Sequence, residues 1–348
     1  MTAIFEKISA FFLSVVTAIT MLPNNIVNTI TDDEGFIAKT FFTSYNEKAE
    51  KFCEIPALDT DFVPQGLAYS DYLNKILVCG YMNEEGASRI YVINPENGVE
   101  EKYVTLLTVD GKEYTGHCGG IATFEGNAWV VSGSYARRLH LDSIKNAENG
   151  SQLQFVDRFN TGTRASYANC SNGILWVGEY HKNGNTYVTE DSHHMTSPSG
   201  EKMNAWTCGY ILEKGNPKGF NYDGSSKEIV VPDYILGTES MCQGFSQLPD
   251  GRFVTSISGQ ITKSKLNTYK NVLELPHDTT VNISDKEVKI WFLDSTKEVS
   301  SLNAIPRSEG VDNYNGKLLV LYESGCKKLF ASQIVSTKHV WSVTIETT

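Results

Sequence analysis

Short apolar runs recur along the chain, each bounded by glycine, asparagine or aspartate. Their length and turn-residue borders predict β-strands joined by tight turns. The runs fall into a unit of four strands that repeats. The first strand of a unit opens on a polar residue followed by glycine: Gln65-Gly66-Leu67-Ala68, Gly119-Gly120-Ile121-Ala122, Gln243-Gly244-Phe245-Ser246 and Glu309-Gly310-Val311-Asp312, with a degenerate copy at Ala165-Ser166-Tyr167-Ala168. A hairpin signal follows, as in Asn172-Gly173, Asp250-Gly251 and Asn315-Gly316. The second strand is the most apolar, at residues 75–80, 128–133, 174–180, 252–256 and 317–322. Third strands are expected at 89–94, 138–142, 209–213, 289–294 and 340–346, and fourth strands at 103–108, 153–158, 228–234 and 299–305. The fifth unit runs out of chain before its fourth strand. Residues 53–58 precede the first unit as a fourth strand would, so they are expected to complete the last sheet and remove its open edge.

The fold this pattern predicts is all-β, a five-bladed β-propeller whose last blade is closed by an N-terminal strand. A six-bladed count is the alternative, and a β-sandwich is disfavoured by the repeated glycine. Two units are longer than a four-stranded repeat requires, so insertions are expected near 181–205 and 259–286. With the first strand innermost, the loops entering it and the loops after the second strand emerge on one face. Those loops hold the unusual residues, and function concentrates in such loops.

Composition narrows the picture further. The net charge is −11, without a basic run, which excludes phosphate-backbone binding and hence nucleic-acid partners. Seven cysteines lie at 53, 79, 118, 170, 208, 242 and 326, none in a Cys-x-x-Cys pair. They read mainly as small buried hydrophobes. Residues 8–22 are apolar and uncharged, too short to span a bilayer comfortably but the length of a signal-peptide core. The expected organisation is therefore a signal peptide or membrane-associated helix at 1–22, a linker at 23–50 and the propeller at 51–348. It implies a secreted or cell-surface protein that meets a membrane only through its N-terminal segment.

The candidate chemistry gathers at the mouth where the innermost strands begin. His117, in the glycine-rich stretch Thr115–Gly116–His117–Cys118–Gly119–Gly120, can act as a general acid or base near neutral pH or can simply bond between blades. Glu179 and His181 stand two apart at the end of a second strand, so alternation sets them on one face. With Glu309 or His117 they could bind a divalent cation. Oxygen-rich company favours calcium, and several imidazoles favour zinc. Pairing of the carboxylates with Arg137 or Arg164 is the competing reading. Gln65, Tyr81, Arg164, Gln243 and Arg307 are the expected substrate contacts, the arginines for an anionic group. His193-His194 sit in the polar insertion, either exposed or folded over the mouth. No nucleophile elbow, P-loop or dinucleotide-binding glycine set is present.

The stretch Phe62-Val63-Pro64-Gln65-Gly66-Leu67, with Gly86 and Ser88-Arg89 after it, resembles the first blade of propeller-type glutaminyl cyclases. The chain is also similar to lactonase-like propellers, a resemblance that implies a channel metal. The pattern Pro64–Gly66, Thr115–Gly120 and Ile174–Tyr180 resembles a group of secreted bacterial propellers, and this implies a location and a fold but no reaction. The expected function is an extracytoplasmic hydrolase or cyclase acting on a small or peptide substrate. Its alternative is a non-catalytic propeller that binds a peptide or glycan.

Overall fold

The computed structural model describes residues 32–184, 187–224, 228–258, 261–329 and 334–346, and its regular structure is mostly β-strand. Residues 1–22, expected as a signal peptide or helix, lie outside the described residues. In the first unit Phe62–Ser70, Lys75–Met82, Arg89–Ile93 and Glu100–Leu107 pair antiparallel in sequence order. The fourth unit is built the same way from Cys242–Gln247, Phe253–Ile257, Ser264–Tyr269 and Glu298–Ala304. In the fifth, Ser308–Tyr314, Lys317–Tyr322 and His339–Val343 are followed at the edge by Ala49–Glu54. The N-terminal strand thus does pair with the last sheet, four residues earlier than the pattern suggests.

The second and third units share one ladder. Asn127–His140 folds back on itself, with Gly133 at positive φ and the Leu141 amide donating to the Gly126 carbonyl. The long strand Asp157–Ser171 pairs with it through its first half and then runs on as the inner strand of the third unit, beside Ile174–Glu179. Asn172–Gly173 and Asn315–Gly316 take positive φ at both positions, the geometry a two-residue hairpin needs.

The innermost strands meet side by side. Phe62–Ser70 packs against Gly120–Phe124 and Ser308–Tyr314, Gly120–Phe124 against the long strand, and Cys242–Gln247 against the long strand and Ser308–Tyr314. They therefore contact one another in circular order. Apolar clusters fill the wedges between sheets; one joins Leu77, Ile90 and Val104 of the first unit to Ile121, Val130 and Leu139 of the second. All seven cysteines are free, and all but Cys170 are buried. Burial pushes the Cys118 thiol up to about 12.

Several expected elements are placed differently. Residues 289–294, expected as a third strand of the fourth unit, fall in Lys286–Phe292, which forms a hairpin with Thr279–Ile283, pairs parallel to Tyr234–Thr238 of the third, and ends at Phe292. The strand in that place is Ser264–Tyr269. Of residues 153–158, expected as the fourth strand of the second unit, the first two lie in Gln152–Gln154, which pairs parallel to the edge of the first unit. From Asp32 on, the segment expected as a linker is packed: helices Phe36–Phe41 and Thr43–Lys48 lead into Ala49–Glu54, and buried Tyr45 accepts a hydrogen bond of 2.7 Å from the Tyr322 hydroxyl. Among the described residues no helix is long and apolar enough to cross a membrane.

Candidate functional site

The starts of the innermost strands and the loops around them enclose a cavity of about 330 Å³. Its wall carries Gln65, His117, Arg164, Gln243 and Arg307 from the entering side, and Tyr81, Tyr180 and Glu323 from the ends of second strands or just beyond them. Lys182, Tyr187 and Lys328 reach it from longer loops. Cys118, Met241 and Arg307 hold left-handed φ of 50°, 67° and 64° just before their strands. A non-glycine residue there costs about 1 kcal/mol or more, and such strain clusters at functional mouths.

The His117 ring lies against Tyr81, centroids 4.2 Å apart and planes 32° from parallel. Desolvation, and then the positive Lys328, holds its pKa below the usual imidazole value, so the ring is neutral at pH 7. Lys328 donates to the Tyr81 hydroxyl at 2.7 Å. Glu323 accepts from Gln65 Nε2 at 3.0 Å and lies 3.5 Å from Arg307. Behind it Glu309 is buried, with Gln243 Nε2 donating to it at 3.3 Å. Burial and then the Glu323 charge push the Glu309 carboxyl well above the carboxylate range, and burial also raises Glu323 against the pull of Arg307. Both carboxyls are therefore harder to ionise than exposed ones, Glu309 the more so.

Glu179 and His181 sit elsewhere. Buried Glu179 accepts from the Arg164 amide at 2.8 Å, His193 Nδ1 at 2.9 Å and the Trp206 amide at 3.0 Å. His193 stacks on Trp206 at 3.8 Å. His181 Nδ1 is 2.9 Å from the Thr189 hydroxyl and its Nε2 is 2.8 Å from Asn183 Oδ1, while the same hydroxyl is 2.9 Å from His194 Nε2. These contacts tie the insertion to the second strand of the third unit. The structure therefore gathers His117, Gln65, Tyr81, Arg164, Gln243 and Arg307 at one cavity, sets Glu309 just behind it, and gives Glu179 and His181 a separate buried cluster. Among the described residues no group of three or more His, Cys, Asp or Glu is placed to hold a metal ion, so Glu309, Glu179 and His181 do not assemble as ligands. The sequence pattern does not mark Tyr180, Lys182, Tyr187 or Lys328 as contacts. Tyr180 could have been marked, because it follows its second strand as Tyr81 closes its own.

Raised carboxyls have a consequence for stability. Burial holds Asp312 at about 6 and also raises Glu239. Their folded pKa values exceed the unfolded ones, so between about pH 4 and 6 the unfolded chain ionises more readily and stability falls as pH rises. Asp312 alone accounts for roughly 3 kcal/mol over that window. Asp33 acts in the opposite sense, because hydrogen bonds, from His339 first, outweigh its burial and hold it far below its usual value; its stabilisation is lost only below about pH 4. Urea midpoints should therefore be higher at about pH 5 than at about pH 7.5, and equal midpoints would contradict this assignment.

No protein-family model matches the sequence, and no curated protein does. Among solved structures the chain is similar to a luciferin-regenerating enzyme, at 10% identity over 85% of this chain and 95% of that one, with a TM-score of 0.42. It is similar to Myxococcus xanthus glutaminyl cyclase at 10% identity, covering 86% and 97%, also with a TM-score of 0.42. The PQQ-bound aldose sugar dehydrogenase of Streptomyces coelicolor is 18% identical, covering 78% and 76%, with a TM-score of 0.39.

Proposed function

We propose that the chain is a five-bladed propeller that acts as an acid–base hydrolase or cyclase on a small anionic substrate held in the 330 Å³ cavity. One observation carries the reading: in a chain of net charge −11, this wall brings Arg164, Lys182, Arg307 and Lys328 together beside Glu323 and, behind it, Glu309, two carboxyls that burial makes harder to ionise. The cations attract and orient an anionic group, and the rings of Tyr81, Tyr180 and Tyr187 flank the bound molecule. Neutral His117 takes a proton from water or from the attacking group. Glu323 on the wall, its own carboxyl raised by burial, gives one to the departing oxygen or nitrogen. In hydrolysis water adds across the scissile bond, and both side chains return to their starting states when the proton passes back.

The test is turnover of a panel of lactones, esters and amides bearing a carboxylate or phosphate, followed by proton release. Glu323→Gln should lower kcat by roughly 10²–10⁴-fold with little change in KM. Arg164→Ala should act mainly on KM. Undiminished turnover in Glu323→Gln would overturn the acid role. Saturable binding of the panel with no turnover would favour the non-catalytic binder.

A further inference from the structure

The opposite mouth of the ring holds a second cavity, of about 800 Å³, lined by the turns between first and second strands. Its chemistry is the reverse of the first. Asp312 stands on its wall, 7% exposed, and accepts from the Tyr69 amide at 2.7 Å, the Asn313 amide at 2.8 Å and Asn169 Nδ2 at 2.8 Å. All three donors are neutral. Among the described residues no ion pair includes Asp312, and nearby Asp71 adds negative charge. A buried carboxylate lacking a counter-charge is costly, and a bound cation would supply what the protein does not.

A second observation on the same wall points to a ligand. Gln247 is 5% exposed, its Nε2 donates to the Gly251 carbonyl at 3.2 Å, and its Oε1 is buried without a hydrogen-bond partner. A buried acceptor left without a donor is costly. Both the carboxylate and this oxygen call for a positively charged hydrogen-bond donor. Aromatic rings complete the wall: Tyr69 and Tyr314 meet edge to face with centroids 4.8 Å apart, and Tyr72 and Phe124 lie alongside. Such rings favour an organic cation. The only cationic side chain among the lining residues, Lys214, is exposed. With no three-residue metal-ligand group among the described residues, the donor set suits an ammonium better than a metal ion.

We infer that this second mouth binds a small organic ammonium compound, with Asp312 and Gln247 Oε1 receiving its N–H groups and the tyrosines covering its carbon chain. The glycine contacts of the inner strands lie between the two mouths, with a Cβ at Gly66 or Gly310 meeting backbone of the next strand within about 3 Å. The second site is therefore separate from the first.

Putrescine is the probe, titrated into the full chain by calorimetry and compared with sodium chloride at equal ionic strength. Wild type should bind it saturably and melt at a higher temperature in its presence. Asp312→Asn should weaken binding by roughly tenfold or more. Gln247→Leu, which removes the orphan oxygen and also the Nε2 donor to the Gly251 carbonyl, should fold with a slightly lower urea midpoint and bind several-fold more weakly. Absence of any effect beyond that of salt would overturn the inference. So would binding that Gln247→Leu and Asp312→Asn both leave unchanged, or displacement of putrescine by calcium.

Discussion

Gly120→Ala should destabilise the protein by about 3 kcal/mol or more, and in practice should prevent folding at moderate temperature. The position has an ordinary backbone conformation, so the loss is not one of glycine's freedom. It is steric. A Cβ on Gly120 would lie 2.2 Å from the Ala168 nitrogen and 2.7 Å from the Tyr167 Cα, both backbone of the adjacent inner strand. A flexible side chain could turn away, but this strand is held on its other edge by Ile174–Glu179. The two innermost strands would have to separate, and the ring that sets both mouths would open with them. Gly126→Ala is the control, because nothing lies within 4 Å of its added methyl; it should stay within about 0.5 kcal/mol of wild type. Urea unfolding of both variants decides the matter. Equal midpoints would mean that the inner strands do not meet as closely as described.

The same contact explains why the inner strands were readable from the chain. A polar residue and a glycine opening an apolar run mark the place where one backbone must approach another, and Asn172–Gly173 and Asn315–Gly316 mark turns that need positive φ. The fourth unit misled for an equally physical reason. Its third strand, Ser264–Tyr269, buries Ser264, Asn267 and Thr268, so it has no apolar signature. Asn267 instead donates to Glu239 at 2.8 Å and accepts from Ser301 at 2.7 Å, and Ser264 accepts from the Ser308 amide at 3.0 Å. Lys286–Phe292 has the pattern that this strand lacks, but its partner is the third unit, and pattern does not name a partner. The site divides in the same way. Residues at the starts of inner strands inherit the order of the repeat, so Gln65, Arg164, Gln243 and Arg307 could be placed together. Lys328 could not, because it comes from an irregular loop. Strand alternation does not extend to His181, and Glu179 and His181 meet different partners within their buried cluster. The register shifts between Gly178 and Glu179, and the strand ends there.

That shift makes Glu179 the subject of the other large expected effect. Glu179→Leu should cost about 3–5 kcal/mol, since it leaves the Arg164 amide, His193 Nδ1 and the Trp206 amide without their shared acceptor in a buried place. The damage should spread in a definite direction. His193 anchors the insertion that carries Lys182 and Tyr187 to the cavity, and the Arg164 amide precedes the inner strand of the third unit. Anion binding should therefore weaken together with stability, and limited proteolysis should cut the insertion sooner than in wild type. Glu179→Gln separates this role from a chemical one. Oε1 accepts from Arg164 while Oε2 accepts from both His193 and Trp206, so an amide must turn its NH₂ toward at least one N–H. The variant should lose roughly 1–3 kcal/mol in urea unfolding. A group that acted on substrate would show the converse, turnover lost with the midpoint unmoved. That result would return Glu179 to the acid–base role that its spacing from His181 first suggested.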